Sequence, residues 1–310
     1  MLKKTKSIHF HFKLCDVNIV AGWTALHCAC LMDREEILLD IVEWLVTDCG
    51  IDPAIKSNNG TSPIHFAISK GHSNVVHELL MTPYNLTASK DDSTGYYPLH
   101  TAAHLNQVEC VKVLVRHGAN VLLLTETHHP TSAFHLAASS LILHKLNSST
   151  VENFEHEFRI MKTINVLLKY LKPESILVFD DGKFGTILHL LAGINHEKGL
   201  KKIICPPFLH PVNVLNTDTV TPFHMALETR SMECVDELLN HEVDVSKIHP
   251  ILNLSPIQIL FRKAKTILDI DLGILEKMLK RGEKKKTYKT FLYGVRIRGF
   301  LTLVKLYHSL

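Results

Sequence analysis

Hydrophobic residues in this chain recur in short helical phrases and not in long runs. In SPIHFAISKGHSNVVHELL, from Ser62, apolar positions fall at 64, 66, 67 and 68, then at 75, 76, 79 and 80. Returns every three or four residues mark one face of a helix. The same two-phrase order reappears from Tyr97 in YPLHTAAHLNQVECVKVLV and from Thr221 in TPFHMALETRSMECVDELL. The pattern predicts pairs of short amphipathic helices separated by polar loops. A unit of this size cannot bury its apolar face alone, so repetition predicts stacking of neighbours into a shared core.

Aligned on the residue two before the apolar–His pair, the repeat starts at Thr24, Ser62, Tyr97, Ser132, Thr186, Thr221 and Ser255. Six of these are Ser or Thr, residues favoured before a helix because the hydroxyl accepts a free backbone N–H. Proline follows at 63, 98, 222 and 256, where its missing N–H costs nothing. An apolar residue comes next (Leu26, Ile64, Leu99, Phe134, Leu188, Phe223, Ile257). Histidine then stands at 27, 65, 100, 135, 189 and 224, with Gln258 in the seventh unit. Alanine follows two further on at 29, 67, 102, 137 and 226, small enough to let helices approach closely.

These rows, with the GAN of residues 118–120, resemble the ankyrin repeat, whose pattern is G-x-T-P-L-H-x-A, helix, turn, helix, at about 33 residues per unit. The resemblance extends over 16–283 and implies an all-α ankyrin-repeat solenoid of about seven repeats with protruding hairpin loops. It further implies that the repeat histidines and hydroxyls hold the turns. Three departures carry expectations. The hairpin glycine of Gly22, Gly60 and Gly95 gives way to Pro130, Phe184, Thr219 and Asn253, so the later hairpins are expected to be less regular. Leu191 and Leu260 replace the small alanine and are expected to spread the stack locally. The fourth and fifth starts are 54 positions apart, and the excess is read as a helical insertion at 138–172 with a capping box at Ser149 and Glu152 and an end at Pro173.

Residues 1–15 read as a basic leader and 284–310 as a basic tail. Of 34 Lys and Arg, four lie in 1–14 and seven in 284–310, leaving 23 in the body against all 31 acids, a net of −8. That balance argues against a nucleic-acid surface on the body. No run of 18 uncharged apolar residues suggests a membrane span. The tail is read as cover for the last repeat, as disorder, or as contact with an anionic membrane surface or a nuclear address. Seven cysteines without paired spacing suit a reducing compartment, and the expected location is cytoplasmic, with the nucleus as alternative. The 21 histidines show no metal-ligand spacing, and no nucleotide or nucleophile motif is present. Neither cofactor, metal nor catalysis is expected. His117 and His241 at helix ends and His72 in a turn match places the family uses structurally.

The resemblance implies a non-catalytic scaffold that binds protein through its hairpin tips and inner helices. The residues expected on that face are Trp23, Met32, Asn59, Thr61, Lys70, Thr94, Tyr96, His104, Leu105 and Thr131, with Lys183 on a later tip. Trp23 and Tyr96 are expected to be exposed aromatic anchors. The acidic body suits a basic partner segment, and the chain is expected to be a monomer. Two other readings are the ankyrin part of a membrane-associated assembly, such as a cation channel or pore-forming toxin, and a substrate adaptor of a ubiquitin ligase.

Overall fold

The computed structural model describes residues 21–33, 35–146, 154–172, 185–206, 211–263 and 271–283. The leader, the tail, Lys183 and the Ser149–Glu152 box lie outside them. Among the described residues the chain is helical, with no strand beyond two isolated bridges, Leu124 with Ser132 and His249 with Leu254. Each repeat is a helix pair. The pairs are α1 (Ala25–Cys30) and α2 (Glu35–Thr47), α3 (Pro63–Lys70) and α4 (Ser73–Met81), α5 (Pro98–His104) and α6 (Val108–Arg116), and α7 (Ala133–Leu146) and α8 (Phe154–Lys169). They continue as α9 (Ile187–Gly193) and α10 (Glu197–Ile204), α11 (Pro222–Glu228) and α12 (Met232–Leu239), and α13 (Pro256–Lys263) and α14 (Leu272–Glu283).

The chain divides into two compact units, one of residues up to Ser140 with 151–175, the other of 141–150 with those from Ile176 on. In the first unit α1, α3 and α5 pack side by side as an inner row, and α2, α4, α6 and α8 as an outer row. Hydrophobic contact is the main driving force. Leu26, Ile64, Ala67, Ile68, Val75, Val76, Leu79, Ala102, Val111 and Leu114 are wholly withdrawn from water, each large one contributing about 1.5–3 kcal/mol. In the second unit α9, α11 and α13 form the inner row and α10, α12 and α14 the outer one. Leu191 and Leu260, in the place of the small alanine, are both buried there.

The segment read as an insertion supplies α8, which packs against α6 as α6 packs against α4. It therefore takes the outer-helix place of the fourth repeat, at 16 residues against 9 in α4 and α6. Its buried face begins at Ile160 and runs through Thr163, Ile164, Leu167 and Leu168. Phe158, before that face, is exposed with the Lys162 ammonium 4.2 Å above its ring.

The hairpins share one lock. A polar residue at the base donates its N–H to the carbonyl just before the cap: Ser57 to Thr61, Asp91 to Tyr96, Thr125 to Thr131, Asn216 to Val220 and His249 to Leu254. Its side chain then accepts a hairpin N–H, as in Thr61 to Ser57 Oγ, Thr131 to Thr125 Oγ1 and Val220 to Asn216 Oδ1. Tips join along the first unit, with Asn58 N–H donating to Ala21, Asp92 to Gly60 and Glu126 to Gly95. A Cβ on Gly60 would meet Asp92 Cβ at 2.3 Å, and one on Gly95 would meet the Glu126 carbonyl at 2.5 Å. The expected loss of regularity is not general. Thr219 and Asn253 keep the left-handed conformation at φ 59° and 52°, at about 1–2 kcal/mol for the β-branched Thr219 and less for Asn253. Pro130 cannot follow, because its ring fixes φ negative.

Candidate functional site

The repeat histidines occupy the N-terminus of each inner helix and are spent there. Thr24, Tyr97, Thr186 and Thr221 donate their backbone N–H to Nδ1 of His27, His100, His189 and His224 at 3.0–3.4 Å. The hydroxyls of Thr24, Ser62, Ser132, Thr186 and Thr221 donate to the same nitrogen of the ring three residues on. A nitrogen that accepts a backbone N–H carries no proton, so the proton sits on Nε2. Nε2 then donates across to the next hairpin, from His27 to the Thr61 carbonyl (3.1 Å), His65 to Tyr96 (3.3 Å), His100 to Leu123 (2.7 Å), His189 to Val220 (3.0 Å) and His224 to Lys247 (2.8 Å). The ring thus plays the carboxylate's part in a capping box. The hydroxyl was expected to accept a helix N–H, and it does so at Thr221 from His224 and at Ser255 from Gln258.

Burial is what most depresses the basicity of these rings. It lowers His65, His100 and His224 to about 4, partly offset at His65 by the Asp91 charge and at His100 and His224 by the carbonyl bond. With both nitrogens engaged and the ring neutral, none of these three is available as a ligand or base. Burial, with the Cys28 charge second, likewise pushes the Cys30 thiol up to about 12.

One groove in the first unit, of about 500 Å³, brings together part of the expected face. Thr61, Thr94, Tyr96, His104 and Leu105 line it, along with Phe66, Ser69, Thr101 and Thr127. Its two walls are the hairpin tips and the outward side of α3 and α5. Tyr96 is half-buried, not the free anchor expected, with its ring 5.9 Å from His104 and 6.2 Å from His100. Leu105 is 41% exposed at the end of α5. Asp91 closes the base. Burial alone would raise its pKa, but bonds from Ser93, Thr61 and Thr94 outweigh it and hold the carboxyl at about 2.

The other expected residues lie elsewhere. Trp23 is half-buried, its ring tilted at 58° against Phe66 with centroids 5.1 Å apart, and so backs the groove through that ring. Lys70 pairs with Asp33 at 2.7 Å, and the Met32 carbonyl accepts from His72 Nε2 at 2.8 Å. Asn59 is exposed on its tip. The Thr131 hydroxyl turns back to the His129 carbonyl at 2.9 Å. Sequence reasoning missed Phe66, Ser69 and Thr101. The signal was present, since 66, 69 and 70 in α3 and 101, 104 and 105 in α5 share one face by i+3 and i+4 spacing.

The family model described as Ankyrin repeats (3 copies) matches residues 38–125. Among solved structures the chain is similar to the human ASB11 ankyrin repeat domain, with a TM-score of 0.58 and 18% identity over 82% of this chain and 98% of that one. The ankyrin repeat domain of Bcl-3 aligns with a TM-score of 0.55 and 18% identity, over 83% of this chain and 99% of that one. The chain carries ankyrin repeats. By sequence they are 34% identical over 140 residues to SMC5-SMC6 complex localization factor protein 1 of Bos taurus, covering 43% of this chain and 13% of that protein. They are 29% identical over 124 residues to Transient receptor potential cation channel subfamily A member 1 of Drosophila melanogaster, covering 38% and 10%. Against the Nuclear factor NF-kappa-B p105 subunit of Gallus gallus they are 29% identical over 155 residues, covering 49% and 14%. The chain thus spans 10–14% of the length of these relatives. Ankyrin repeats are a general protein-interaction module, and the matched family indicates no enzyme. No described helix is long and apolar enough to cross a membrane.

Proposed function

We propose that this ankyrin-repeat chain is a non-catalytic scaffold that captures a protein segment on the groove formed by its second and third repeats. The observation that carries the reading is the convergence of Phe66, Tyr96 and Leu105 with the polar rim of Thr61, Thr94 and His104 in one open cleft. An apolar floor with a few polar groups at its edge is the usual make-up of a recognition site. The repeat histidines do not compete with this role, because their hydrogen bonds are already committed to the turns.

The partner segment is proposed to bring an apolar side chain to the floor between Phe66 and Leu105. The body's charge balance favours a segment with basic flanks. The carboxylates beside the groove add little to that preference, since Asp33, Asp92 and Glu126 pair with Lys70, Lys56 and Lys90. Action as a monomer in the cytoplasm or nucleus completes the proposal.

The test is quantitative affinity enrichment on the full chain, comparing wild type with Tyr96→Ala/Leu105→Asp. Proteins depleted at least tenfold by the variant, at unchanged helicity, support the groove. An identical captured set with both chains overturns it.

A further inference from the structure

We propose that His77 and His117 form a surface site for a divalent transition-metal ion, independent of the groove. His77 stands in the middle of α4, and His117 caps the C-terminal end of α6, the neighbouring outer helix. Nδ1 of His77 lies 2.9 Å from Nε2 of His117, with ring centroids 5.0 Å apart and planes at 63°. Two ring nitrogens at this distance share one proton. The contact is solvent-exposed, so an ion with its water shell can reach it. This distinguishes the pair from the repeat histidines, whose nitrogens are buried and bonded to backbone.

Replacement of the shared proton by a metal requires little movement. Metal–imidazole bonds are about 2.0–2.1 Å, and at a tetrahedral angle two of them put the nitrogens about 3.4 Å apart. The exposed rings need to open by about half an ångström and tilt. The proton they share moves to the outward nitrogen of His117, leaving one lone pair from each ring for the ion. Imidazole suits Zn²⁺, Cu²⁺ and Ni²⁺ and not Mg²⁺ or Ca²⁺. Among the described residues no set of three His, Cys, Asp or Glu converges on one point, so water completes the coordination. The ion would clip the second repeat to the third at their outer edge. This departs from the sequence expectation that a helix-end histidine at 117 is structural only.

The experiment titrates ZnCl₂ into the full chain by calorimetry and records the electron paramagnetic resonance spectrum with Cu²⁺. The chains compared are wild type, His77→Ala, His117→Ala and His128→Ala/His129→Ala, the last removing an exposed histidine pair elsewhere. The expected result is saturable Zn²⁺ binding weakened at least tenfold by each of the first two substitutions and unchanged by the third. Wild type should show two imidazole nitrogens on Cu²⁺, each single variant at most one, and MgCl₂ no heat. Absence of saturable Zn²⁺ binding, equal affinity in His77→Ala and wild type, or a one-nitrogen Cu²⁺ spectrum in wild type overturns the proposal. The wild-type spectrum decides alone should a variant fail to fold.

Discussion

The hairpin that opens the third repeat and the one that opens the seventh make the same turn with different chemistry. In each, the base residue donates its N–H at 2.8 Å to the carbonyl before the cap, Asp91 to Tyr96 and His249 to Leu254. Asp91 holds the turn as a carboxylate, accepting from Ser93 and Thr94 N–H at 2.9 Å and from the Thr61 hydroxyl at 2.6 Å. His249 holds it as a ring, with Nδ1 accepting from Ile251 and Leu252 N–H and Nε2 facing the Glu228 carboxylate. Gly95 takes the left-handed conformation without strain, whereas Asn253 takes it at φ 52°. The fold requires an acceptor at the base and a positive φ before the cap. Which residue supplies each is negotiable.

Acid separates the helix-capping rings from the Asp91 carboxylate most widely. His65, His100 and His224 are held near 4 in the folded chain against about 6.5 when unfolded. Between those values the unfolded chain binds more protons. Their stabilisation is therefore complete above pH 6.5 and falls away as pH drops toward 4, by several kcal/mol across the three rings. Asp91, at about 2, gives up its contribution in a second step below pH 4. Denaturant melts at half-unit intervals from pH 7.5 to 3 should show the first step, and a flat profile from 6.5 to 4 removes the neutral-ring assignment.

Substitution of the hairpin glycines comes next. Gly95→Val combines a φ of 70° with a Cβ 2.5 Å from the Glu126 carbonyl, and is expected to cost about 3 kcal/mol. His100→Ala frees the Tyr97 N–H and the Leu123 carbonyl and should cost about 2 kcal/mol. His100→Gln should cost visibly less, because Gln258 already accepts the Ser255 N–H at 2.7 Å in the seventh repeat. In the opposite direction, Thr219→Gly should stabilise by up to about 1 kcal/mol, since it relieves a β-branched residue at φ 59°. Chemical denaturation of the four variants ranks them, and a destabilised Thr219→Gly would show that its side chain holds the turn.

Much of this was legible because the repeat spells out its own register. Seven starts at near-constant intervals carry the helix pairs, and the His–hydroxyl row announces a turn device. The sequence did not reveal that the ring itself, and not the hydroxyl, accepts the cap N–H. Nor did it show that Trp23 and Tyr96 would lie against neighbouring rings. For Trp23 that burial depends on Phe66, 43 positions further on and beyond the reach of local pattern. The outer-helix place of α8 was hidden by its length and by a start that exposes Phe158. The groove was half legible. Leu105 and His104 were found by position, and Phe66 was passed over although it shares their face in the preceding repeat.

The central claim is that turn residues hold the fold while groove residues recognise a partner. Its most direct test measures thermal melting and partner capture on the same preparations of wild type, His100→Ala and Tyr96→Ala/Leu105→Asp. The predicted result is a lowered Tm with an intact captured set for His100→Ala, and lost capture at nearly unchanged helicity for the groove pair. Lost capture at unchanged Tm for His100→Ala would contradict it.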